Sequence, residues 1–409
     1  MSELKTSNTK RKMPAAVIVF GLVSFLTDVS SDMIYPLLPL FLVEYLGAGQ
    51  GILGLIEGVA ESTAAFFTLL SGLWADRVRD RSKLVLGGYS LSSFFRPLMA
   101  LAWHPWAVLA VRFFDRMGKG IRTAPRDALI ADATEPQMRG AAYGLQRSMD
   151  HAGALTGPIL ASLLLWLGLK NLRHLFALAA IPGILAVILI AWKIREVRPA
   201  LESAPKKLAL KIPRGRLRIY LIILFVFILS CSSDAFLLLR IRELGIPTVF
   251  LPLMWALLHV VKALSTYPLG KLSDRMGRRH VMLAGWIVYT LVYAGFGMAQ
   301  APWQAVILFC FYGLYYGFTE GTERALLADY AEKHERGQAF GWYYFILGLG
   351  VLPASLVFGT VWQTLGSSAA FYLSAGISAG ASFGLFVFLK LVPSKLEPSP
   401  AVPAKPSQP

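Results

Sequence analysis

Apolar runs of about twenty residues recur along the whole chain, each close to the ~20 residues a helix needs to cross a bilayer. Twelve such spans are expected, roughly 15–46, 51–75, 84–103, 106–133, 139–168, 173–194, 218–244, 247–271, 280–299, 303–330, 338–366 and 368–391. They override the reading that 409 residues would otherwise invite, two or three soluble domains. The composition agrees: 56% of residues are hydrophobic, 16% are charged, and the mean hydropathy is +0.56.

The formal net charge of +16 raises the possibility of a nucleic-acid partner, and the distribution of that charge argues against one. Lys10, Arg11 and Lys12 precede the first span, Arg77, Arg79, Arg81 and Lys83 follow the second, and Lys271, Arg275, Arg278 and Arg279 follow the eighth. A further basic stretch, Lys193 to Arg218, joins the sixth span to the seventh. The intervening loops at Gly47–Gly51, His104–Pro105, Ala301–Pro302 and Gly366–Ser368 carry no Lys or Arg. This is the positive-inside pattern, and it puts both termini in the cytoplasm. The expected organisation is a cytoplasmic segment at 1–14, a six-helix bundle at 15–195, a linker at 196–216, a second bundle at 217–391 and a disordered tail at 392–409. The first run is too long for a signal-peptide core and contains Asp28 and Asp32, so it is expected to remain as a span. Cys231 and Cys310 both fall inside spans and suggest neither a disulfide framework nor a metal site.

The chain repeats itself at an offset close to half its length. Gly72-Leu73-Trp74-Ala75-Asp76-Arg77 returns as Gly270-Lys271-Leu272-Ser273-Asp274-Arg275. Ala128 to Asp132 returns as Ala325 to Asp329, Arg139 to Gly144 as Arg336 to Gly341, and Ser30-Ser31-Asp32 as Ser232-Ser233-Asp234. Two homologous halves with parallel topology therefore flank the basic linker, an architecture that generally places a substrate site between the halves near the bilayer midplane.

These motifs resemble the major facilitator superfamily over nearly the whole chain. The loops at Asp76 and Asp274 resemble its Gly-x-x-x-Asp-Arg signature. Arg79-Asp80-Arg81 departs from that signature in the first copy, while Asp274 to Arg279 is the cleaner second copy. Arg112 resembles the family's fourth-helix arginine. Gly153-x-x-x-Gly157-Pro158 resembles a fifth-helix motif associated with antiporters, although Ala161 and Ser162 stand where two further glycines are usual. The resemblance implies an all-α membrane protein: twelve transmembrane helices in two pseudo-symmetric six-helix bundles, with the first, fourth, seventh and tenth helices around a central cavity. Asp76, Arg77, Asp274 and Arg275 are then expected to gate the cytoplasmic side, with each aspartate accepting hydrogen bonds from an arginine or a neighbouring helix N-terminus.

Arg112, Asp115, Arg116, Lys119, Arg122 and Arg126 step along the fourth span by threes and fours and so share one helix face. Each charge costs roughly 2.5–3.5 kcal/mol to insert at mid-membrane, so this stripe faces protein or water rather than lipid. Two readings are open. In one, Arg122 and Arg126 pair with Glu320 and Glu323 of the second half as a gate, and Arg112 pairs with Asp115 or Asp32. In the other, Arg112, Arg116, Lys119 and Arg122 bind an anionic group of the substrate; Glu320 is also counted with the substrate-binding residues, and Tyr312 and Tyr316, which share its helix face, stack against an organic substrate. Arg126 and Glu323 are assigned to the gate. Gly118 and Gly120 are expected to permit close helix approach. Arg96 is expected to reach a carboxylate such as Asp115 or Glu61.

Proton coupling requires a carboxylate tuned by burial and neighbouring charge, and the candidates in order are Asp32, Glu61, Asp28 and Asp150. For Glu57 and Glu61 a salt bridge to a neighbouring helix is the alternative role. His259 is expected to be a hydrogen-bonded structural residue. The sequence holds no phosphate-binding glycine loop, metal-ligand cluster or nucleophile–base motif, so neither an enzyme nor a cofactor is expected. The resulting expectation is a proton-coupled secondary transporter, monomeric, in a bacterial inner membrane. It would move a small organic molecule of anionic or zwitterionic character, with export favoured over import of an organic anion, metabolite or siderophore-type chelate. A non-transporting receptor or enzyme is the distant alternative.

Overall fold

The computed structural model describes residues 13–75, 80–135, 138–193, 215–330 and 336–391, and these are helical almost throughout. The first half comprises α1 (Ala15–Tyr45), α2 (Gln50–Ala75), α3 (Arg81–Leu101), α4 (Pro105–Asp132), α5 (Arg139–Trp166) and α6 (Leu172–Lys193). The second comprises α7 in two pieces (Gly215–Ile228 and Asp234–Glu243), α8 (Leu251–Met276), α9 (Arg278–Met298), α10 (Pro302–Tyr330), α11 (Arg336–Leu365) and α12 (Ser367–Leu391). The predicted linker lies outside the described residues except for Gly215 and Arg216, which open α7, and the predicted tail lies wholly outside them.

Local chemistry sets the ends and irregularities. Asp80 caps α3 by accepting from the Ser82 amide at 3.1 Å, and Asn171 caps α6 by accepting from the Arg173 amide at 3.0 Å. Pro36 and Pro39 remove amide donors from α1, whose course there changes to 3₁₀ and π turns. Gly277 and Gly366 make the sharp reversals before α9 and α12 at φ +89° and +90°.

Among the described residues, eight helices are long and apolar enough to cross a membrane: α1, α2, α3, α6, α8, α9, α11 and α12. The other four, α4, α5, α7 and α10, all line the central cavity, so their polarity faces inward rather than toward lipid. The outer surface is apolar, with Phe94, Ile188, Leu264 and Phe383 more than half exposed, as expected of a surface that meets hydrocarbon.

Within each half, glycines let backbones touch. A Cβ on Gly118 would meet the Gly88 carbonyl of α3 at 2.6 Å, and one on Gly120 would meet the Ala64 carbonyl of α2 at 2.8 Å. Both glycines thus permit close helix approach. Gly153 and Gly157 seat α5 against α1 beside Asp28: their Cβ atoms would stand 2.5 Å from the Phe25 carbonyl and 2.6 Å from that of Val29.

The halves meet through α2 on α11 and α5 on α8. The tightest contacts gather at the end holding the α1–α2 and α11–α12 connections. There Gly54 and Gly359 lie directly on the Ser355 and Gln50 carbonyls, and the Gly51 amide donates to Gln363 Oε1 at 3.1 Å. Arg242 pairs with Glu44 at 3.2 Å, and Ser62 Oγ donates to the Gly348 carbonyl at 2.6 Å. Ser162, one of the two residues standing where the antiporter motif usually has glycine, donates across the halves to the Val249 carbonyl.

Candidate functional site

Between the halves lies a cavity of about 510 Å³, closed at one end by those contacts and reaching toward the basic-loop end as far as Arg126 and Arg147. The stripe on α4 divides at its edge. Arg116, Lys119, Arg122 and Arg126 line the cavity, whereas Arg112 and Asp115 border a small separate void.

Arg112 is therefore not placed as a cavity residue. It pairs at 2.8 Å with Glu57 of α2, and both side chains are buried. The expected partners Asp115 and Asp32 are engaged elsewhere or unpaired: Asp115 takes Arg96 at 2.9 Å, and Arg96 also donates to the Thr27 carbonyl at 3.1 Å. Arg116 pairs with Glu61 at 3.2 Å. The stripe's anions thus come from α2, whose Glu57 and Glu61 sit one turn apart and face two arginines one turn apart on α4.

The expected gate does not form in this conformation. Arg126 bonds its neighbour Asp127 at 3.0 Å and Ser24 at 3.2 Å, both in the first half. Glu323 is buried among second-half residues, accepting from Tyr343 at 3.1 Å and Trp286 at 3.5 Å. Glu320 is exposed and does not border the cavity. The repeat offset matched these positions, but Arg126 and Glu323 each take partners within their own half.

Three cations remain in the cavity without an ion pair among the described residues. Lys119 is open to the cavity. Arg122 lies 4.3 Å over the Tyr89 ring, with its Nη1 buried and unbonded. Lys262 of α8 sits 3.3 Å from the centre of the Tyr316 ring. Asp28 and Asp32 also line the cavity and make no hydrogen bond or ion pair among the described residues, in contrast to Asp150, which accepts from Gln146 at 2.7 and 2.8 Å. Tyr312 and Tyr316 reach the cavity from α10, and both donate to Asp234, at 2.5 and 3.2 Å.

Asp234 opens the second piece of α7, and Ser233 before it accepts from the Ala235 amide as the helix cap. The repeat that pairs Asp234 with Asp32 signalled this carboxylate, but not the break in α7 that turns it toward the tyrosines. Lys262, one turn after His259 on α8, was not among the expected site residues. His259, one turn before Lys262, differs from expectation: its ring packs edge-on to Trp255 at 5.1 Å, and both nitrogens are buried without a hydrogen bond among the described residues.

Asp76 and Arg77 lie outside the described residues, as does the Asp274 side chain, and Arg275 is exposed. A few residues further along the chain the two halves repeat one ion pair: Arg81 to Asp132 at 2.8 Å, and Arg278 to Asp329 at 2.8 and 2.9 Å. Each ties the start of one helix to the end of the next.

A profile described as Major Facilitator Superfamily matches residues 20–261 and 235–409. The chain is 32% identical over 365 residues to an uncharacterised MFS-type transporter of Methanocaldococcus jannaschii, covering 88% of this chain and 91% of that one. It is 25% identical over 324 residues to the multidrug resistance protein MdtH of Cronobacter sakazakii, covering 78% and 79%. Among solved structures, the nucleoside transporter NupG superposes with a TM-score of 0.77 at 15% identity, covering 92% of this chain and 99% of that one. A D-xylose-proton symporter superposes with a TM-score of 0.73 at 16% identity, covering 92% and 97%. Identities this low carry the fold alone.

Proposed function

The chain belongs to the Major Facilitator Superfamily, a multi-pass membrane transporter with transporters rather than enzymes for relatives, and from that premise we propose that it is a proton-coupled antiporter exporting a small organic molecule of anionic or zwitterionic character. The observation that carries this reading is the set of unpaired charges inside one cavity: Lys119, Arg122 and Lys262 beside Asp28 and Asp32. Buried charge without a partner is costly, and a ligand of complementary charge removes that cost.

Asp32 and Asp28 are the proton carriers of this reading, because their carboxylates are unengaged while Glu61 and Asp150 already have partners. The basic loops support a reading in which the open end of the cavity and both termini face the cytoplasm, the membrane being a bacterial inner membrane. The conformation is then inward-facing, with the outer side shut by α2 on α11. In this reading Asp76, Arg77, Asp274 and Arg275 form the cytoplasmic latch.

Reconstitution in liposomes with an imposed pH gradient and a substrate panel tests this. Organic anions and zwitterions are expected to move with the gradient, against the proton. Movement of lipophilic cations alone, or transport indifferent to the gradient, would overturn it.

A further inference from the structure

We infer that the substrate is a zwitterion carrying an amine and a carboxylate, and that Lys262 is the second-half residue that takes the carboxylate. This deepens the proposed function and rests on it. In the cavity the unpaired charges are of both signs and come from both halves. Asp28 and Asp32 stand one turn apart on α1, Lys119 is on α4, and Lys262 is on α8. A plain anion would satisfy Lys119, Arg122 and Lys262 but would be repelled by the two carboxylates and give them no partner, which disfavours it. A plain cation would leave the lysines uncompensated. A molecule with both charges satisfies both sets, and the cavity has room for one of amino-acid size together with water.

Lys262 rests in a position suited to this exchange. Its ammonium lies on the face of Tyr316 at 3.3 Å and 5.9 Å from the Trp255 ring, with no carboxylate in contact among the described residues. Tyr316 donates to Asp234, which draws electron density into the ring and strengthens its hold on a cation. An arriving carboxylate offers Lys262 a charge-assisted hydrogen bond in place of the ring. As Lys262 leaves, the Tyr316 face is freed for the apolar part of the ligand. The amine is meanwhile met by Asp28 and Asp32 from the first half. With the carboxylate on Lys262 and the amine on Asp28 and Asp32, the two ends of a zwitterion engage different halves. Because the amine and the driving proton compete for the same carboxylates, substrate loading and proton release are coupled.

The test uses the full-length protein in detergent for thermal unfolding, and in proteoliposomes for counterflow. The probes are aromatic and branched amino acids, each with its amide (amine only) and its N-acetyl form (carboxylate only). At least one free amino acid is expected to raise the unfolding temperature and to exchange, with both blocked forms weaker by about tenfold to a hundredfold, the size expected when one charged hydrogen bond is lost. Lys262→Gln should bring the free amino acid down to the level of its amide and leave the amide unchanged, while Lys262→Arg retains most binding. Asp32→Asn provides the independent arm, bringing the free amino acid toward its N-acetyl form. N-acetyl forms that bind as well as the free amino acids, free amino acids that bind none, or a Lys262→Gln protein with unchanged preference would overturn the inference. If organic anions still move with the pH gradient in that case, the proposed function stands without the zwitterion. If nothing moves, both fall.

Discussion

The Arg112 guanidinium meets the Glu57 carboxylate at 2.8 Å with both side chains out of solvent, and Glu57 in turn accepts from Ser233 of the other half at 3.3 Å. The family-like arginine of the fourth helix is thus part of a buried network spanning the closed end, one step removed from the cavity. Removing one partner of such a pair leaves an uncompensated charge, at a cost of about 3–5 kcal/mol. Glu57→Gln should therefore lower the unfolding temperature and the yield of folded protein. A double variant with Arg112→Gln should recover part of the loss. The KM of whatever protein folds should stay within about twofold of wild type, since uniform binding is untouched. A stable Glu57→Gln protein with a greatly raised KM would return Arg112 to the substrate site.

Why the stripe was legible and its pairing was not follows from what a sequence encodes. Spacing by threes and fours puts Arg112 to Arg126 on one face without any tertiary knowledge. The duplication likewise fixes two six-helix halves and points to Asp234 through Asp32. Pairing depends on which helix packs against that face and at what rotation, and pseudo-symmetry is a poor guide to it. It matched Arg126 with Glu323 by position, whereas Arg126 turned to Asp127 and Ser24, and Glu323 to Trp286 and Tyr343. The division of α4 between the cavity and the Arg112–Asp115 void is a property of the α2–α3–α4 contact and has no mark in the chain.

Asp32 and Glu61 were both read as proton carriers, and their surroundings now separate them. Asp32 has no partner among the described residues, while Glu61 holds Arg116 at 3.2 Å. Asp32→Asn should abolish gradient-driven transport while some substrate exchange remains, weakened by the loss of one amine contact. Glu61→Gln should keep its sensitivity to the gradient and instead lower stability, because it strands Arg116. Gradient-driven flux and counterflow measured in parallel on the two variants check this, and the reverse pattern would move the proton to Glu61.

The paired loops make a smaller prediction. Arg81–Asp132 and Arg278–Asp329 sit in partly exposed settings, where an ion pair contributes about 0.2–1 kcal/mol. Arg81→Gln and Arg278→Gln should leave the unfolding temperature within a few degrees of wild type. Transport should slow severalfold in both if the pairs hold the cytoplasmic latch. The Arg278 variant should be the more affected, since it loses contacts to both oxygens of Asp329. Unchanged turnover in both variants would reduce the pairs to helix-end fastenings.

The closed end offers the sharpest test of alternating access. A Cβ on Gly58 would stand 2.8 Å from Leu352 Cδ1 and 2.9 Å from the Leu352 Cα, and the latter is backbone that cannot turn aside. Gly58→Leu should therefore force α2 and α11 apart at a point of close contact between the two halves. Interiors and interfaces of this density shift between discrete arrangements rather than yielding smoothly, so the population should move toward the state open at this end. Spin labels on cysteines placed at the exposed Tyr45 and Leu365, with Cys231 and Cys310 replaced by serine, report the separation. The distance should lengthen in the Gly58→Leu protein and transport should fall by more than about tenfold, because the closed state that completes the cycle is lost. An unchanged distance together with normal flux would mean that the α2–α11 contact is not what shuts this side.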